Sequence, residues 1–218
     1  MKIKTLEVAG LESALHAMRN PMDSWKMSDS KYDYLPKVVD DFIEHVDYDY
    51  AFIVGEKDKD LSVRLQKSGP EHCKHLRMVM VWADIAAPRY WWQEFDTYRA
   101  GVEKVSCSTM HKLMSRDVTV DDFEHDQLLP EALQTKIVDE INRSIHAYKM
   151  EDDPAIKADI FRGVVQFLPQ SYIQKRTVMM SYAALRNICR QREGHKLKEW
   201  HQFLDWTKTL PESWMIYE

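Results

Sequence analysis

The feature that most constrains the fold is one apolar, β-prone run, MVMVWADI, at residues 78–85. Ala86, Ala87 and Pro88 end the run, and amphipathic helical patterns account for most of the remaining chain. One buried strand among amphipathic helices is typical of a small sheet covered by helices. We therefore predict an α+β fold, in which residues 76–86 form a central strand of a small, mostly antiparallel sheet flanked by helices.

The spacing of apolar residues predicts the elements around this strand. Helices are predicted at residues 11–18, 34–46, 57–67, 129–150, 172–192 and 197–206, and from the acidic turn at residues 151–154 to about Phe167. Residues 1–8 are predicted to be an edge strand and residues 118–120 a short strand. Residues 50–54 fit either a strand or the end of a helix, and residues 105–109 are predicted to be a loop of small residues.

Composition and charge exclude several classes of protein. With 218 residues, 30% charged and 44% hydrophobic, the chain is predicted to be one globular domain spanning residues 1–218. The formal net charge of −5 gives no overall field that would recruit nucleic acid, and the glycine-rich phosphate-binding motifs are absent. Three cysteines without paired spacing favour a reducing compartment, and no apolar run approaches the ~20 residues that span a bilayer. We expect a cytoplasmic protein with no membrane or nucleic-acid partner.

Three local groups of residues allow two interpretations each. His72, Cys73 and His75 suggest either a metal site or ordinary hydrogen-bonded side chains, and Cys107 is either a nucleophile or a small packed residue. The aromatic residues at positions 90, 91, 92, 95 and 98 either stack on a planar cofactor or fill the core. The ordinary interpretation is favoured in each case. No second pair of metal ligands and no base for the thiol can be named, and aromatic residues at helical spacing usually pack in a core.

The predicted helix at residues 172–192 carries a basic side, formed by Lys175, Arg176, Arg186, Arg190 and Arg192. Such a group is either a solvated face or, in an acidic protein, a surface that receives an anionic ligand. Both interpretations stay open. Two residues on a helix span about 200° of rotation, so Arg190 and Arg192 would face nearly opposite sides.

The order of several motifs resembles that of the flavin-dependent thymidylate synthases. In sequence order, these are Glu71-His72 before the strand, Ala87-Pro88 before a helix, Ser108 in a polar loop, and Leu168-Pro169 before a helix with Asn187 and Arg192. The resemblance covers residues 58–202, about two thirds of the chain.

The resemblance implies an assignment of site residues. Three residues would contact the flavin cofactor FAD, namely Arg99, Asn187 and His72. Three would contact the nucleotide substrate, namely Ser108, Arg192 and Arg162, the last lying three residues before the family's arginine position. Much of the family signature is replaced, because Thr97 and Tyr98 stand where the flavin-binding triplet has its first arginine and its histidine. Ser181 likewise replaces the first asparagine of the late helix.

The resemblance also implies a function. The family transfers a one-carbon unit from methylenetetrahydrofolate to C5 of dUMP, with FAD as cofactor and NADPH as electron source, and its members are homotetramers. The first hypothesis is therefore an FAD-dependent enzyme of this type acting on a pyrimidine deoxynucleotide. The flavin and the folate would carry most of the chemistry. The second hypothesis is a non-catalytic relative that keeps the fold as a nucleotide-binding or interaction protein.

Because much of the family signature is replaced, both hypotheses stay open. A hydrogen bond to a charged group contributes ~1.5–3 kcal/mol, so three missing ones would weaken ligand binding by several kcal/mol. Other cations would have to compensate, and the candidates are Lys104, Lys112, Lys175 and Arg176. The replaced residues favour the second hypothesis, and the retained Arg99, Ser108, Asn187 and Arg192 favour the first.

Overall fold

The computed structural model describes residues 1–36, 48–125 and 130–218. The strands are β1 (Lys2–Ala9), β2 (Lys31–Pro36), β3 (Tyr48–Ile53), β4 (Met80–Pro88), β5 (Val102–Ser106) and β6 (Ile173–Ser181). The helices are α1 (Leu11–Met18), α2 (Glu56–Ser68), α3 (Arg89–Phe95), α4 (Thr109–Lys112), α5 (Glu131–Met150), α6 (Pro154–Phe167), α7 (Tyr182–Arg192), α8 (Lys198–Lys208) and α9 (Trp214–Tyr217).

The chain divides into two compact units, each built from separate stretches. The first unit comprises Met1–Leu6, Trp82–Met179 and Gly194–Trp206. The second comprises Glu7–Val81, Met180–Glu193 and Thr207–Glu218. That residues 1–218 form a single domain stays a prediction.

A small antiparallel sheet has the strand order β1-β4-β6-β5, which confirms the predicted α+β fold with its flanking helices. β1 is an edge strand and β4 is internal, as predicted. β4 begins at Met80 rather than at residue 76, because Lys74–Arg77 forms a 3-10 turn, and it continues to Pro88. Ala83 and Ile85 are fully buried and alternate with partly exposed residues, so one face of the strand is packed.

The first unit is built around an aromatic cluster. Trp91, Trp92 and Phe95 of α3 and Trp200 and Phe203 of α8 are each at most 1% exposed. The ring of Trp91 lies 4.9 Å from the rings of both Phe95 and Trp200. Large buried rings contribute much of the apolar area that a core removes from water. The interpretation as core is confirmed for the aromatic residues at positions 91, 92, 95 and 98, whereas Tyr90 is half-buried.

A second apolar cluster in the first unit joins α5 to α6. Ile141 and Ile145 of α5 pack in one cluster with Val164 of α6, as the four-residue repeat predicts. α5 begins at Glu131, within two residues of the predicted start. The acidic turn caps α6 as predicted, because the Asp153 carboxylate accepts a hydrogen bond from the Ala155 backbone N–H at 2.7 Å.

The predicted helix at residues 172–192 is wrong over its first half. Ile173–Ser181 is strand β6, and α7 begins only at Tyr182. Ser181 supplies the boundary, since its hydroxyl accepts a hydrogen bond from the Ala184 backbone N–H at 3.1 Å and so caps α7. Lys175 and Arg176 therefore lie on the strand, and the five cations do not form one helical face.

Four further predictions are also corrected or resolved. Residues 118–120 are not a strand, because Thr119 and Asp122 form a capping box around a 3-10 turn at Val120–Asp122. Residues 105–106 belong to β5, and Thr109 begins α4. The helix predicted at 34–46 is wrong at residues 34–36, which belong to β2, and its other residues lie outside the described residues. Residues 50–53 form part of β3.

In the second unit, α2 buries polar residues instead of apolar ones. Asp58, Ser62 and Gln66, spaced by four, are buried, whereas Leu61, Val63 and Leu65 are only half-buried. Gly10, before α1, has a φ of 89°, and a Cβ there would overlap the Met78 carbonyl oxygen, so the position requires glycine. β2 and β3 pair as an antiparallel ribbon, with Tyr32 opposite Phe52 and Tyr34 opposite Tyr50.

Candidate functional site

A polar pocket in the first unit is a candidate site. Its volume is about 320 Å³, within the range of small-molecule sites. α3, α4, α6 and β6 supply its walls. The lining residues are Arg89, Gln93, Asp96, Thr109, Val165, Gln174 and Arg176. Below, "the polar pocket" means this set.

Arg176 is held rigidly in the polar pocket. Its Nη1 donates to Asp96 Oδ1 at 2.7 Å, and its guanidinium carbon lies 4.3 Å from the centre of the Trp92 ring. The Lys104 ammonium also pairs with Asp96 Oδ1, at 3.0 Å. Asp96 therefore sits between two cations, and this corner of the pocket has an excess of positive charge. A planar guanidinium fixed by a carboxylate and an aromatic face is pre-organised for further hydrogen bonds.

Gln174 links Arg176 to the loop that carries Ser108. Its Oε1 accepts hydrogen bonds from Arg176 Nε and Nη2 at 3.1 and 3.0 Å. Its Nε2 donates to the Cys107 carbonyl oxygen at 3.1 Å and to Thr109 Oγ1 at 3.4 Å. The loop is thereby anchored to the wall of the polar pocket. Ser108 itself, half-buried, lies between the two anchored residues.

Arg89 is the cation best placed to receive a ligand. It is the first residue of α3, and its Nη1 makes one long contact, 3.5 Å, to the Leu168 carbonyl oxygen. Among the residues that the structure describes, no carboxylate pairs with it. Its neighbours in the polar pocket include the Gln93 amide and the Thr109 hydroxyl. One cation with neutral donors beside it suits an anionic group such as a phosphate.

The residues at the family's flavin triplet have separate roles here. The Thr97 hydroxyl donates to the Glu94 carbonyl oxygen at 2.7 Å, at the end of α3. Tyr98 is 9% exposed and its ring packs edge-on to Phe95 at 6.1 Å. Only Arg99 points an exposed cation outward, three residues after Asp96. Two of the three positions are therefore used for structure.

Arg162 lies on the exposed side of α6. Its guanidinium is 68% exposed and its Nη2 pairs with Asp159 at 2.5 Å, one turn away. Val165, at the position where the family has its arginine, lines the polar pocket instead. The structure does not bring Arg162 into that lining, and its role in substrate binding stays a prediction.

The other predicted site residues belong to the second unit. His72 is 51% exposed, with Nε2 3.5 Å from the Glu71 carboxylate. Asn187 is exposed on α7, and its Oδ1 accepts a hydrogen bond from Gln191 at 2.9 Å. Arg192, the last residue of α7, is half-buried, whereas Arg190 is exposed. Their roles as ligand contacts stay predictions.

A group of buried polar residues in the second unit is not predicted by the sequence pattern. Arg19 Nε pairs with Asp58 Oδ1 at 2.5 Å, with the two side chains 4% and 0% exposed. Burial acts to raise the pKa of Asp58, but hydrogen bonds from Ser28, Ser30 and Arg19, together with the charge of Arg19, outweigh it and hold that pKa below its usual range. Polar side chains from segments far apart in the sequence hydrogen-bond to one another here, and the hydropathy pattern does not predict such pairs.

His75 and Arg186 are part of the same polar interior. His75 is 3% exposed, and its Nε2 is hydrogen-bonded to the Ser62 hydroxyl at 2.8 Å. Burial, reinforced by the positive charge of Arg186, lowers the pKa of His75 to about 4. Arg186, 8% exposed, donates to Gln66 Oε1, and at 3.0 Å to the Glu218 carbonyl oxygen. The interpretation of His75 as an ordinary hydrogen-bonded residue is confirmed.

Neither a metal site nor a membrane-spanning helix is found in the part of the chain that the structure describes. Within residues 1–36, 48–125 and 130–218, no three His, Cys, Asp or Glu side chains gather as a metal site would require. Over the same ranges, each helix is too short or too polar to cross a bilayer.

The small sheet with its flanking helices has the fold of the flavin-dependent thymidylate synthases. Two solved structures of thymidylate synthase X (ThyX) from Helicobacter pylori, both with FAD and dUMP, are similar to this chain. One has a TM-score of 0.67 at 17% identity and covers 98% of this chain and 95% of its own. The other has a TM-score of 0.63 at 18% identity, with coverages of 99% and 98%. No protein-family model matches the chain, and no curated protein matches it.

Proposed function

We propose that this protein is a divergent flavin-dependent thymidylate synthase. It would transfer a one-carbon unit from methylenetetrahydrofolate to C5 of a pyrimidine deoxynucleotide, dUMP, with FAD as cofactor and NADPH as electron donor. The observation that carries the proposal is the fold, which matches ThyX with FAD and dUMP over 98% of this chain. The sequence order of Glu71-His72, Ala87-Pro88, Ser108 and Leu168-Pro169 agrees with that fold independently.

The polar pocket supports the nucleotide part of the proposal. Arg89 would pair with the phosphate, while the Thr109 hydroxyl and the Gln93 amide would donate to its remaining oxygens. Thr109 Oγ1 accepts from Gln174, which leaves its own proton to donate. Arg176, fixed by Asp96 and Trp92, would add positive potential without moving. Together these groups would take the place of the cationic residues that are missing from the family signature.

The flavin part of the proposal depends on fewer residues. Arg99 offers an exposed guanidinium, whereas Thr97 and Tyr98 are engaged in the end of α3 and in the core. His72 and Asn187 stay proposed flavin contacts from the family resemblance. FAD, when bound, would supply the hydride, and the chain would bind and orient it. The protein's flavin affinity is therefore expected to be lower than a full triplet would give.

One observation favours the second candidate function, a non-catalytic relative that binds nucleotide. Tyr98 is buried against Phe95, so the triplet position that carries the family's histidine cannot contact a ligand without unpacking the core. On this alternative the polar pocket still binds a nucleotide phosphate, but no flavin is held.

A visible absorbance spectrum separates the two candidates. The protein is purified, then incubated with excess FAD, desalted and scanned for the flavin bands. The enzyme proposal predicts retained flavin, and conversion of dUMP to dTMP when methylenetetrahydrofolate and NADPH are added. Saturating dUMP binding without retained flavin or turnover supports the non-catalytic candidate. Absence of both flavin and nucleotide binding contradicts both.

A homotetrameric assembly and a cytoplasmic location are part of this proposal. The family resemblance supports the first, and the cysteine usage supports the second. Light scattering at micromolar concentration tests the assembly, and a monomer would contradict it.

A further inference from the structure

A second cavity lies in the second unit, beside the end of α1. Its volume is about 670 Å³, roughly twice that of the polar pocket and within the range of small-molecule sites. Below, "the α1 pocket" means this cavity, and the residues of its wall that bear most on ligand binding are Glu12, His16, Arg19, Asn20, Trp25 and Phe52. All six precede residue 58, where the family motifs begin.

Arg19 supplies a charged donor to the α1 pocket. Its side chain is 4% exposed, and its Nε and Nη1 donate to Asp58 Oδ1 at 2.5 Å and to the Ser24 carbonyl oxygen at 3.4 Å. Among the described residues, only the Trp91 indole nitrogen is buried without a hydrogen-bond partner. Arg19 Nη2, which also has no partner among them, is therefore accessible to solvent, and the cavity that its side chain lines is the α1 pocket. A guanidinium held by a carboxylate on one side is pre-organised to bind an anion on the other.

Trp25 orients two neutral donors beside Arg19. Its indole N–H donates to Asn20 Oδ1 at 2.8 Å, and its ring stacks on His16, with the ring centres 5.7 Å apart and the planes inclined by 12°. Because Oδ1 of Asn20 accepts this bond, the amide N–H groups of Asn20 are left to donate to a ligand. The imidazole of His16, held by the stack, can donate through a ring N–H. Each donor is therefore oriented by a contact of its own.

The three donor residues share one face of the helix. His16, Arg19 and Asn20 are spaced i, i+3 and i+4, and residues at these spacings are neighbours on a helix surface. α1 ends at Met18, but the backbone of Arg19 is still right-handed helical, with a φ of −91° and a ψ of −9°, so the spacing holds. One cation flanked by two neutral donors suits an anionic oxygen group. The negative end of the helix dipole opposes an anion here, but a directly hydrogen-bonded guanidinium outweighs it.

The charges around the α1 pocket favour a ligand with a single negative charge. Asp58 already neutralises Arg19 through their buried pair. The carboxylate of Glu12 lines the same cavity, and it accepts a hydrogen bond at 2.8 Å from the Tyr32 hydroxyl, which is neutral. A doubly charged phosphate would therefore meet a site without net positive charge. A carboxylate carries one charge, and its two oxygens match the planar guanidinium.

Apolar side chains form another part of the wall of the α1 pocket. Trp25 is 41% exposed, Met78 is 44% exposed, and Phe52 of β3 is half-buried. Aromatic and apolar side chains that line a cavity of this size can remove the apolar body of a ligand from water, and aromatic rings pack well on one another. The donors and this wall together suit a ligand that has a carboxylate at one end and an aromatic ring at the other.

We propose that the α1 pocket binds a small aromatic carboxylate. The carboxylate oxygens accept hydrogen bonds from Arg19, Asn20 and His16, and the aromatic ring packs against Trp25 and Phe52. This inference goes beyond the proposed function and does not depend on it, because the polar pocket belongs to the other unit. No residue proposed above to contact FAD or dUMP belongs to the described wall of the α1 pocket.

Isothermal titration of 3-phenylpropionate into the protein tests the class of ligand. Saturable binding is expected at millimolar concentrations, and saturating FAD or dUMP should leave it unchanged. Three analogues should each bind at least about tenfold more weakly. These are 3-phenylpropionamide, which lacks the charge, acetate, which lacks the ring, and phenyl phosphate, which carries a second charge. No saturable binding of 3-phenylpropionate, or an analogue that binds as tightly, would overturn the proposal. Competition by FAD or dUMP would overturn it too, because the cavity would then be part of the flavin or nucleotide site.

Substitutions with a matched control test the location of the site. Asn20→Asp keeps an oxygen that accepts from Trp25 but replaces the donating amide with a negative charge, so the affinity for 3-phenylpropionate should fall at least about tenfold. His16→Phe keeps a ring to stack on Trp25 but removes a donor, and should also weaken binding. Gln191→Glu makes the same change of amide to carboxylate at an exposed residue of α7 and should keep the wild-type affinity. Wild-type affinity in both Asn20→Asp and His16→Phe, or an equal loss in Gln191→Glu, would overturn the assignment to the α1 pocket.

Discussion

The two units of this protein are stabilised by different chemistry. In the first unit, Trp91, Phe95 and Phe203 pack ring against ring with almost no exposed surface. In the second, the buried side of α2 is polar, and Asp58, Ser62 and Gln66 take their partners from other segments. Apolar burial is nearly independent of pH and tolerant of exchange between apolar groups. Removing one partner from a buried polar network leaves another polar group buried and unpaired, which lowers the free energy of unfolding. The comparison predicts which substitutions and which conditions weaken each unit.

The largest effect is expected from truncating the aromatic cluster. Phe203→Ala should lower the free energy of unfolding by about 3–5 kcal/mol, because it removes a fully buried ring among four other rings. Urea unfolding followed by circular dichroism measures it. Phe167→Ala, at a residue that is 87% exposed, is the control and should change stability by less than about 0.5 kcal/mol. Equal effects of the two substitutions would mean that the cluster is not the core of the first unit.

Breaking the buried ion pair of the second unit should cost somewhat less. Arg19→Met leaves the Asp58 carboxylate buried with only serine donors, and a loss of about 3 kcal/mol is expected, at the low end for a broken buried pair. Arg143→Met breaks an exposed pair with Glu140, where both side chains are at least 66% exposed, and should cost under about 1 kcal/mol. If the same denaturation experiment finds equal costs, the ion pair does not stabilise the second unit.

Acid should weaken the protein through His75. Its pKa is about 4 in the fold against the ordinary 6.5, so below pH 6.5 the proton binds the unfolded chain preferentially. The stabilisation is complete above pH 6.5 and falls as the pH drops to 4, by up to about 3 kcal/mol at ~1.4 kcal/mol per pKa unit. Asp58, whose pKa is lowered, contributes a further loss only below the ordinary carboxyl range.

His75→Gln isolates this contribution. Glutamine keeps a hydrogen-bonding group toward Ser62 but does not titrate. Urea unfolding at about pH 6.5, 5 and 4 should show a markedly shallower decline in the variant than in wild type. Parallel declines would show that His75 is not the group responsible.

The smallest expected effect is a difference in the free energy of unfolding between two substitutions inside the aromatic cluster. The indole N–H of Trp91 has no hydrogen-bond partner among the described residues, whereas that of Trp200 donates to Glu94 at 2.8 Å. Trp91→Phe removes an unsatisfied donor, which offsets part of its lost packing, so it should cost about 1–3 kcal/mol less than Trp200→Phe. A larger cost for Trp91→Phe than for Trp200→Phe would contradict this, and would point to an unrecognised partner of the Trp91 N–H.

The first unit is also the part that the sequence predicts best. The part of the apolar run in that unit, residues 82–85, and the repeat of Ile137, Ile141 and Ile145 have clear periods, because their buried faces are apolar. β6 escaped prediction for the opposite reason. Gln174 and Arg176 are polar yet share the inward side of the strand with Val178, because they build the polar pocket. Residues that form a site obscure the hydropathy pattern of the strand that carries them.

The polar interior of the second unit could not be predicted from local sequence. Asp58 depends on Arg19, 39 residues away, and Arg186 depends on Gln66, 120 residues away. The spacing of Asp58, Ser62 and Gln66 was visible, but a polar stripe normally faces solvent. Ser108 lies in a loop anchored to the polar pocket, and its role as a nucleotide contact stays a prediction. Arg89 was missed because it follows a motif proline and has no counterpart in the family signature.

In the proposed function, Arg89 of the polar pocket pairs with the phosphate of a pyrimidine deoxynucleotide. Isothermal titration of dUMP into wild type, Arg89→Gln and Arg143→Gln tests that pairing. We expect saturable binding to wild type and to Arg143→Gln, with Arg89→Gln weaker by roughly ten- to a hundredfold, as for the loss of a charged hydrogen bond of ~1.5–3 kcal/mol. Binding to Arg89→Gln with wild-type affinity, or no binding to wild type at all, would contradict it.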